Sequence, residues 1–131
     1  MEWELALRLL VASLLGAVIG LQRELVGKPA GMRTHVLVSL GCALFTVVSL
    51  EGFGPAADPA RVAAGVVAGI GFLGAGAIIR GTQGMVIGLT TAASIWAVAA
   101  IGLAVGAGLY FLALVGTALA GAVLLLPKIK G

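Results

Sequence analysis

The strongest constraint on this chain is the length of its apolar runs. No charged residue occurs between residues 81 and 127, and a helix needs only about 20 apolar residues to cross the roughly 30 Å hydrocarbon core of a bilayer. The run is too long for one spanning helix and suits two. The whole chain is 61% hydrophobic and 10% charged, whereas soluble domains average about 45–50% apolar and about 25% charged residues. The sequence therefore predicts an integral membrane protein.

The apolar runs predict one all-α domain, residues 1–131, built as a bundle of five transmembrane helices. The helices are expected at about residues 3–21, 34–50, 59–79, 85–105 and 108–126. Gly106-Ala107-Gly108 is the predicted turn between the last two helices. The alternative for the first helix is a cleaved signal peptide. That alternative is disfavoured because Glu2 and Glu4 precede Arg8 and no A-x-A cleavage site follows.

The basic residues predict the orientation of the bundle. The side that holds the loop 22–33, the turn at Arg80 and the C-terminus carries Arg23, Lys28, Arg33, Arg80, Lys128 and Lys130. The other side carries only Arg8 and Arg61. Cytoplasmic loops are enriched in Lys and Arg, so we expect the N-terminus outside and the C-terminus inside. The net charge of +3 is then a topology signal, and no nucleic-acid partner is expected.

The stretch GIGFLGAGAIIRG contains Gly69, Gly71 and Gly74 at the spacing of a dinucleotide-binding fingerprint. That fingerprint requires a preceding strand, a solvent-exposed turn and an acid about 20 residues further on. Here the glycines lie within an uncharged run, and no acid follows before residue 127. The pattern therefore favours helix packing over nucleotide binding, and no cofactor is predicted.

On a helical wheel, Gly65, Gly69, Phe72 and Gly76 lie within one stripe, whereas Gly71 and Gly74 lie on another face. Small residues allow helix backbones to approach closely in lipid. We therefore predict that helix three is central. Small residues exceed what five helices need, which predicts a homo-oligomer, most simply a two-fold dimer. The alternative is that helices four and five pack tightly as an antiparallel hairpin.

Charged residues mark both ends of helix three. On the inner side, Glu24 is expected to pair with Arg33 or Arg80 within a rim that also holds Arg23 and Lys28; the alternative is a solvated, positively charged loop. On the outer side, Asp58 before Pro59 predicts a helix cap. Arg61 is expected to anchor the helix at the interface or to pair with Asp58.

The remaining polar residues give no catalytic or metal-binding pattern. Thr90, Thr91 and Ser94 share a face of helix four, and their hydroxyls are expected to bond within the bundle; the alternative is that they line a polar path. His35 and Cys42 are the only residues of their types, which does not suit a metal site. No Ser/His/Asp or paired-carboxylate arrangement is present, so we expect neither catalytic residues nor enzyme activity.

Three segments resemble the MgtC/SapB family of bacterial inner-membrane proteins. They are GLQRELVGKPAGMRTHVLVSLGCALF, DPARVAAGVVAGIGFLGAGAII and GLTTAASIWAVAAIGLAVGAGLY. The resemblance implies a small multi-pass protein of the plasma membrane. It also implies links to growth at low magnesium, to virulence within macrophages and to restraint of the F-type ATP synthase. Many relatives carry a soluble C-terminal domain, so we expect a short form that holds the transmembrane domain alone.

Two classes of function are consistent with these features. The first is a regulatory or scaffolding protein that acts through helix–helix contacts, with a second copy or another membrane protein as partner within the lipid bilayer. The second is a transporter or channel for a small ion such as Mg²⁺. The second class usually shows an acidic residue in mid-membrane, and the predicted helices have none there.

Overall fold

The computed structural model describes residues 2–80 and 86–127, with residues 79, 80 and 86 described by their backbone alone. Five α-helices follow one another, as predicted. They are α1 (Glu2–Leu25), α2 (Met32–Glu51), α3 (Ala60–Ala77), α4 (Leu89–Gly106) and α5 (Tyr110–Leu124). Two-residue strands, β1 (Ile79–Arg80) and β2 (Val86–Ile87), pair antiparallel between α3 and α4.

The helix lengths separate α5 from the others. Helices α1 to α4 are long and apolar enough to cross a membrane. Helix α5 has 15 residues, which corresponds to about 22 Å at 1.5 Å per residue. It is shorter than the predicted range 108–126 because the left-handed Gly108, with φ of +86°, delays its start. Helix α1 is longer than predicted because it continues through Arg23, which is buried in the bundle.

Helix α4 is the centre of the bundle, since it contacts each of the other four helices. Its buried side includes Ile95, Val98 and Val105. Helix α3, in contrast, buries only Ile70 and Gly74. The prediction that helix three is central is therefore wrong: α3 leans on α4 through one face and leaves its other faces outside.

Four glycines bring α2 into backbone contact with α1 and α4. A Cβ atom added at Gly16 would lie 2.8 Å from the carbonyl oxygen of His35, and one added at Gly20 would lie 2.7 Å from the Cα of Met32. On α4, a Cβ at Gly106 would lie 2.7 Å from the carbonyl oxygen of Ala43, and a Cβ at Gly102 would overlap the carbonyl oxygen of Ser39. Each helix carries its pair at the spacing G-x-x-x-G, which lets backbones meet in lipid. We call these contacts the glycine seams.

The glycines predicted to pack helix three have different surroundings. A Cβ added at Gly65, Gly69, Gly71 or Gly76 would find no heavy atom of residues 2–80 or 86–127 within 4 Å. Only Gly74 faces a neighbour, because its Cβ would lie 3.6 Å from that of Ala92. Within the part of the chain that the structure describes, the stripe of Gly65, Gly69 and Gly76 is therefore an open face of the bundle.

A polar cluster at the start of α1 holds the turn between α4 and α5. The guanidinium of Arg8 pairs with Glu4 at 3.1 Å and donates to the carbonyl oxygen of Gly106 at 2.8 Å. The hydroxyl of Tyr110 donates to Glu4 at 2.8 Å. These bonds place the start of α1 and the predicted turn at Gly106 at one end of the bundle.

We expect Gly102→Ala to lower the free energy of unfolding by about 1–3 kcal/mol, because the added methyl group forces α2 and α4 apart. The matched control is Gly41→Ala, since a Cβ at Gly41 meets no atom within 4 Å. Thermal unfolding in detergent measures both variants. Equal midpoints for the two would contradict the role given to the glycine seams.

Candidate functional site

The site with the most buried polar chemistry lies where α1, α2 and α4 meet. It comprises Arg23, His35, Thr91 and Ser94, which we call the buried polar cluster. Arg23 is 3% exposed and His35 is 0% exposed. Ionisable side chains inside a membrane bundle are costly and mark functional positions, so this cluster is the leading candidate.

The hydrogen bonds of His35 define its protonation pattern. Nδ1 lies 2.8 Å from the carbonyl oxygen of Gly31, which can only accept, so Nδ1 carries the hydrogen. Nε2 lies 2.9 Å from the hydroxyl of Ser94, and that hydroxyl also lies 2.8 Å from the carbonyl oxygen of Thr91. Ser94 has one hydrogen for two acceptors. In the neutral imidazole the hydrogen goes to Nε2, and in the imidazolium it goes to Thr91.

Arg23 brings a buried positive charge to the start of α4. Its Nη2 donates to the Thr91 hydroxyl at 3.2 Å. Its Nε is buried and has no hydrogen-bond partner in the part of the chain that the structure describes. Among the described side chains, the one ion pair joins Arg8 to Glu4 at the other end of the bundle. A buried guanidinium without a carboxylate partner is energetically unfavourable, and a negatively charged group bound beside it would stabilise it.

Glu24 makes a backbone contact that the sequence analysis did not predict. Its carboxylate accepts the backbone N–H of Met32 at 2.8 Å, and it forms no ion pair with Arg33. The alternative partner, Arg80, lies outside the described side chains. The N-terminus of a helix attracts negative charge and offers unpaired N–H groups. Glu24 therefore starts α2 at Met32, ahead of the predicted start at residue 34.

The other predicted site residues lie apart from the cluster. Lys28 and Arg33 are exposed on the loop and the first turn of α2. Asp58 accepts the N–H of Ala60 at 3.0 Å, which agrees with its predicted capping role. Arg61 is exposed and forms no ion pair with Asp58.

The three residues predicted to form a polar face of helix four differ in their burial. Thr91 and Ser94 enter the buried polar cluster, whereas Thr90 is exposed. His35, from the first turn of α2, is fully buried and completes the cluster.

A buried polar line along α2 escaped the sequence reasoning. Ser39 donates to the carbonyl oxygen of Ala12 at 2.7 Å, Thr46 donates to that of Cys42 at 2.7 Å, and Ser49 donates to that of Pro59 at 3.5 Å. With His35, these residues repeat at helical spacing on one side of a segment without acidic or basic side chains of other types. This spacing is visible in the sequence and predicts a polar line along the helix. The described residues hold no group of three candidate metal ligands.

These features define a multi-pass helical membrane protein with a buried histidine–hydroxyl–arginine cluster near one end. Residues 9–130 match the model of the MgtC family. The chain therefore belongs to the MgtC family. No solved structure matches it.

Three relatives illustrate the similarity. The "Putative magnesium transporter YhiD" of Escherichia coli K12 is 47% identical over 108 residues, which are 77% of this chain and 50% of that protein. Protein SrpB of Synechococcus elongatus is 49% identical, over 74% of this chain and 60% of its own length. Protein MgtC of Salmonella typhimurium LT2 is 49% identical, over 72% and 40%. The chain thus spans about half the length of the curated relatives it matches.

We expect Ser94→Ala to lower the free energy of unfolding by about 1–3 kcal/mol, because it leaves the buried Nε2 of His35 without a partner. Thr90→Ala removes an exposed hydroxyl from the same turn and is expected to change stability by less than about 0.5 kcal/mol. Denaturation in detergent, followed by circular dichroism, compares the two. An unchanged Ser94→Ala protein would show that the cluster does not stabilise the bundle.

Proposed function

We propose that the chain is a regulatory or scaffolding protein of the bacterial plasma membrane that acts through helix–helix contacts. The observation that carries this proposal is the open glycine face of α3. Helix α3 is long and apolar enough to span a membrane, yet a Cβ added at Gly65, Gly69 or Gly76 would meet no heavy atom of the described residues within 4 Å. Small faces favour another helix over lipid, because packing drives association in bilayers.

A second copy of the chain is the partner that this face fits best. The face repeats over three turns of α3, and a two-fold axis lets it meet its own copy. The neighbouring cavity between α2 and α3 has a volume of about 480 Å³ and is lined by Phe45, Val62 and Leu73 beside Gly65 and Gly69. It leaves room for the side chains of a partner helix. Phe72, which is 83% exposed, lies on the same stripe and extends the contact.

We expect Gly69→Leu to leave the fold of the single chain intact, since the position is open, and to weaken the dimer by at least about tenfold, or about 1.4 kcal/mol. Gly71→Leu is the matched control, because it adds the same bulk to the same helix on another face. Mass measurement in nanodiscs or mild detergent reports the oligomeric state. A wild-type protein that stays monomeric over a wide concentration range would reject the dimer.

We infer that the N-terminus lies outside the plasma membrane and that α5 crosses the bilayer as the fifth span. The six basic residues assigned to one side support this orientation. The bond from Gln22 to the carbonyl oxygen of Leu124, at 3.4 Å, brings the end of α5 beside the end of α1. A reporter fused after Gly131 is expected to be active in the cytoplasm, and activity confined to the periplasm would refute the orientation.

Transport of Mg²⁺ is the second candidate function. Two observations favour it: a relative is named as a putative magnesium transporter, and α2 carries a buried line of polar residues. Against it, the described hydroxyls of that line are engaged in hydrogen bonds, and no acidic residue of the described chain is buried. A divalent ion crossing the bundle would need oxygen ligands that are free to bind it.

We expect no Mg²⁺ influx above that of empty vesicles when the purified chain is reconstituted into liposomes that contain a fluorescent indicator. Vesicles with a known Mg²⁺ channel serve as the positive control. An influx that grows with the amount of the protein would replace the regulatory proposal with the transporter.

A further inference from the structure

A groove of about 500 Å³ runs along α4 against α5. Its α4 wall contains Leu89, Ala93 and Ala97, and its α5 wall contains Leu119 and Val123. Leu89, Leu119 and Val123 are exposed, so the groove opens onto the side of the bundle that faces lipid. An elongated apolar groove of this kind accommodates a hydrocarbon chain.

The groove begins at the first turn of α4, where the chain concentrates positive potential. The residue before this helix, Gly88, provides no side-chain cap, and the first turn contains no acidic residue. The first backbone N–H groups of a helix have no partner within the helix and attract anions, phosphate above all. Thr90, which lines the groove, adds a hydroxyl at the same level.

Arg23 is a second observation, separate from the helix N-terminus, that points to an anionic ligand at the first turn of α4. Its guanidinium bonds the Thr91 hydroxyl of the first turn, its Nε has no partner among the described residues, and the side chain is 3% exposed. Ile19, one turn before Arg23 on α1, lines the groove itself. Arg23 and Thr91 do not line the groove themselves, but they lie within one helical turn of Ile19 and Thr90, which do.

We propose that this groove binds an anionic phospholipid, with the phosphate at the first turn of α4 and an acyl chain between α4 and α5. The phosphate supplies the negative charge that Arg23 lacks within the described chain. Basic pockets between membrane helices bind anionic headgroups, and the exposed Lys28 and Arg33 add long-range attraction. The groove lies on a different face of α4 from Ala92, which contacts Gly74 of α3, so this site is separate from the α3 face.

Native mass spectrometry of the detergent-purified chain tests the proposal with three probes. These are phosphatidylglycerol, phosphatidylcholine with the same acyl chains, and inorganic phosphate. Retention of phosphatidylglycerol is expected to exceed that of phosphatidylcholine by about tenfold, because one charge-assisted contact contributes about a factor of ten in affinity. Inorganic phosphate should not compete at equal concentration. Equal retention of the two lipids would overturn the anion site, and full competition by phosphate would overturn its assignment to a lipid.

Two pairs of variants locate the lipid. Ala93→Leu fills the groove and should abolish the preference for phosphatidylglycerol, whereas Ala118→Leu adds the same bulk to an exposed position of α5 outside the groove. Arg23→Gln should reduce the preference about tenfold, whereas Lys28→Gln, at an exposed loop position, should reduce it far less. If Arg23→Gln fails to fold, the Ala93→Leu pair still decides: unchanged lipid retention in Ala93→Leu would reject the groove.

Discussion

The bundle depends on the close approach of α2 to the backbones of α1 and α4. Lipid offers no hydrophobic gain for bringing two apolar helices together, so the helices associate through van der Waals contact. Gly16 and Gly20 on one side and Gly102 and Gly106 on the other remove the side chains that would hold the backbones apart. The buried residues of α2 and α4 then pack directly against each other's turns, and the other helices are arranged around this pair.

The buried polar cluster follows from the same contact. At Gly20, an added Cβ would lie 3.0 Å from the Cβ of His35, so α1 passes directly over the histidine. The imidazole bonds the carbonyl of Gly31, the residue before its own helix, and the Ser94 hydroxyl on α4. Arg23, one turn beyond Ile19 on α1, reaches Thr91 in the same layer. The cluster therefore links the three helices that the glycine seams bring together.

Helix α3 shows what happens to a small-residue helix outside the seams. It contacts α4 through Gly74 and Ala92 and is joined to that helix by the β1–β2 pairing. A Cβ added at Gly65, Gly69, Gly71 or Gly76 would meet no heavy atom of the described residues within 4 Å. The chain thus separates a closed unit of α1, α2 and α4, which holds the buried Arg23 and His35, from a peripheral helix with open faces.

The sequence by itself determined the membrane class, the number and order of the helices, the turn at Gly106 and the capping role of Asp58. These properties depend on the length of apolar runs and on local turn chemistry, which a single segment contains in full. Only the tertiary structure decided which glycines pack. The G-x-x-x-G spacing at Gly65 and Gly69 is the same as that at Gly102 and Gly106. The sequence of a single helix does not determine which of its faces packs against a neighbour. The bonds of Arg23 to Thr91 and of His35 to Ser94, and the capping of Met32 by Glu24, likewise join distant or competing groups, so they depend on how the helices are arranged around α4.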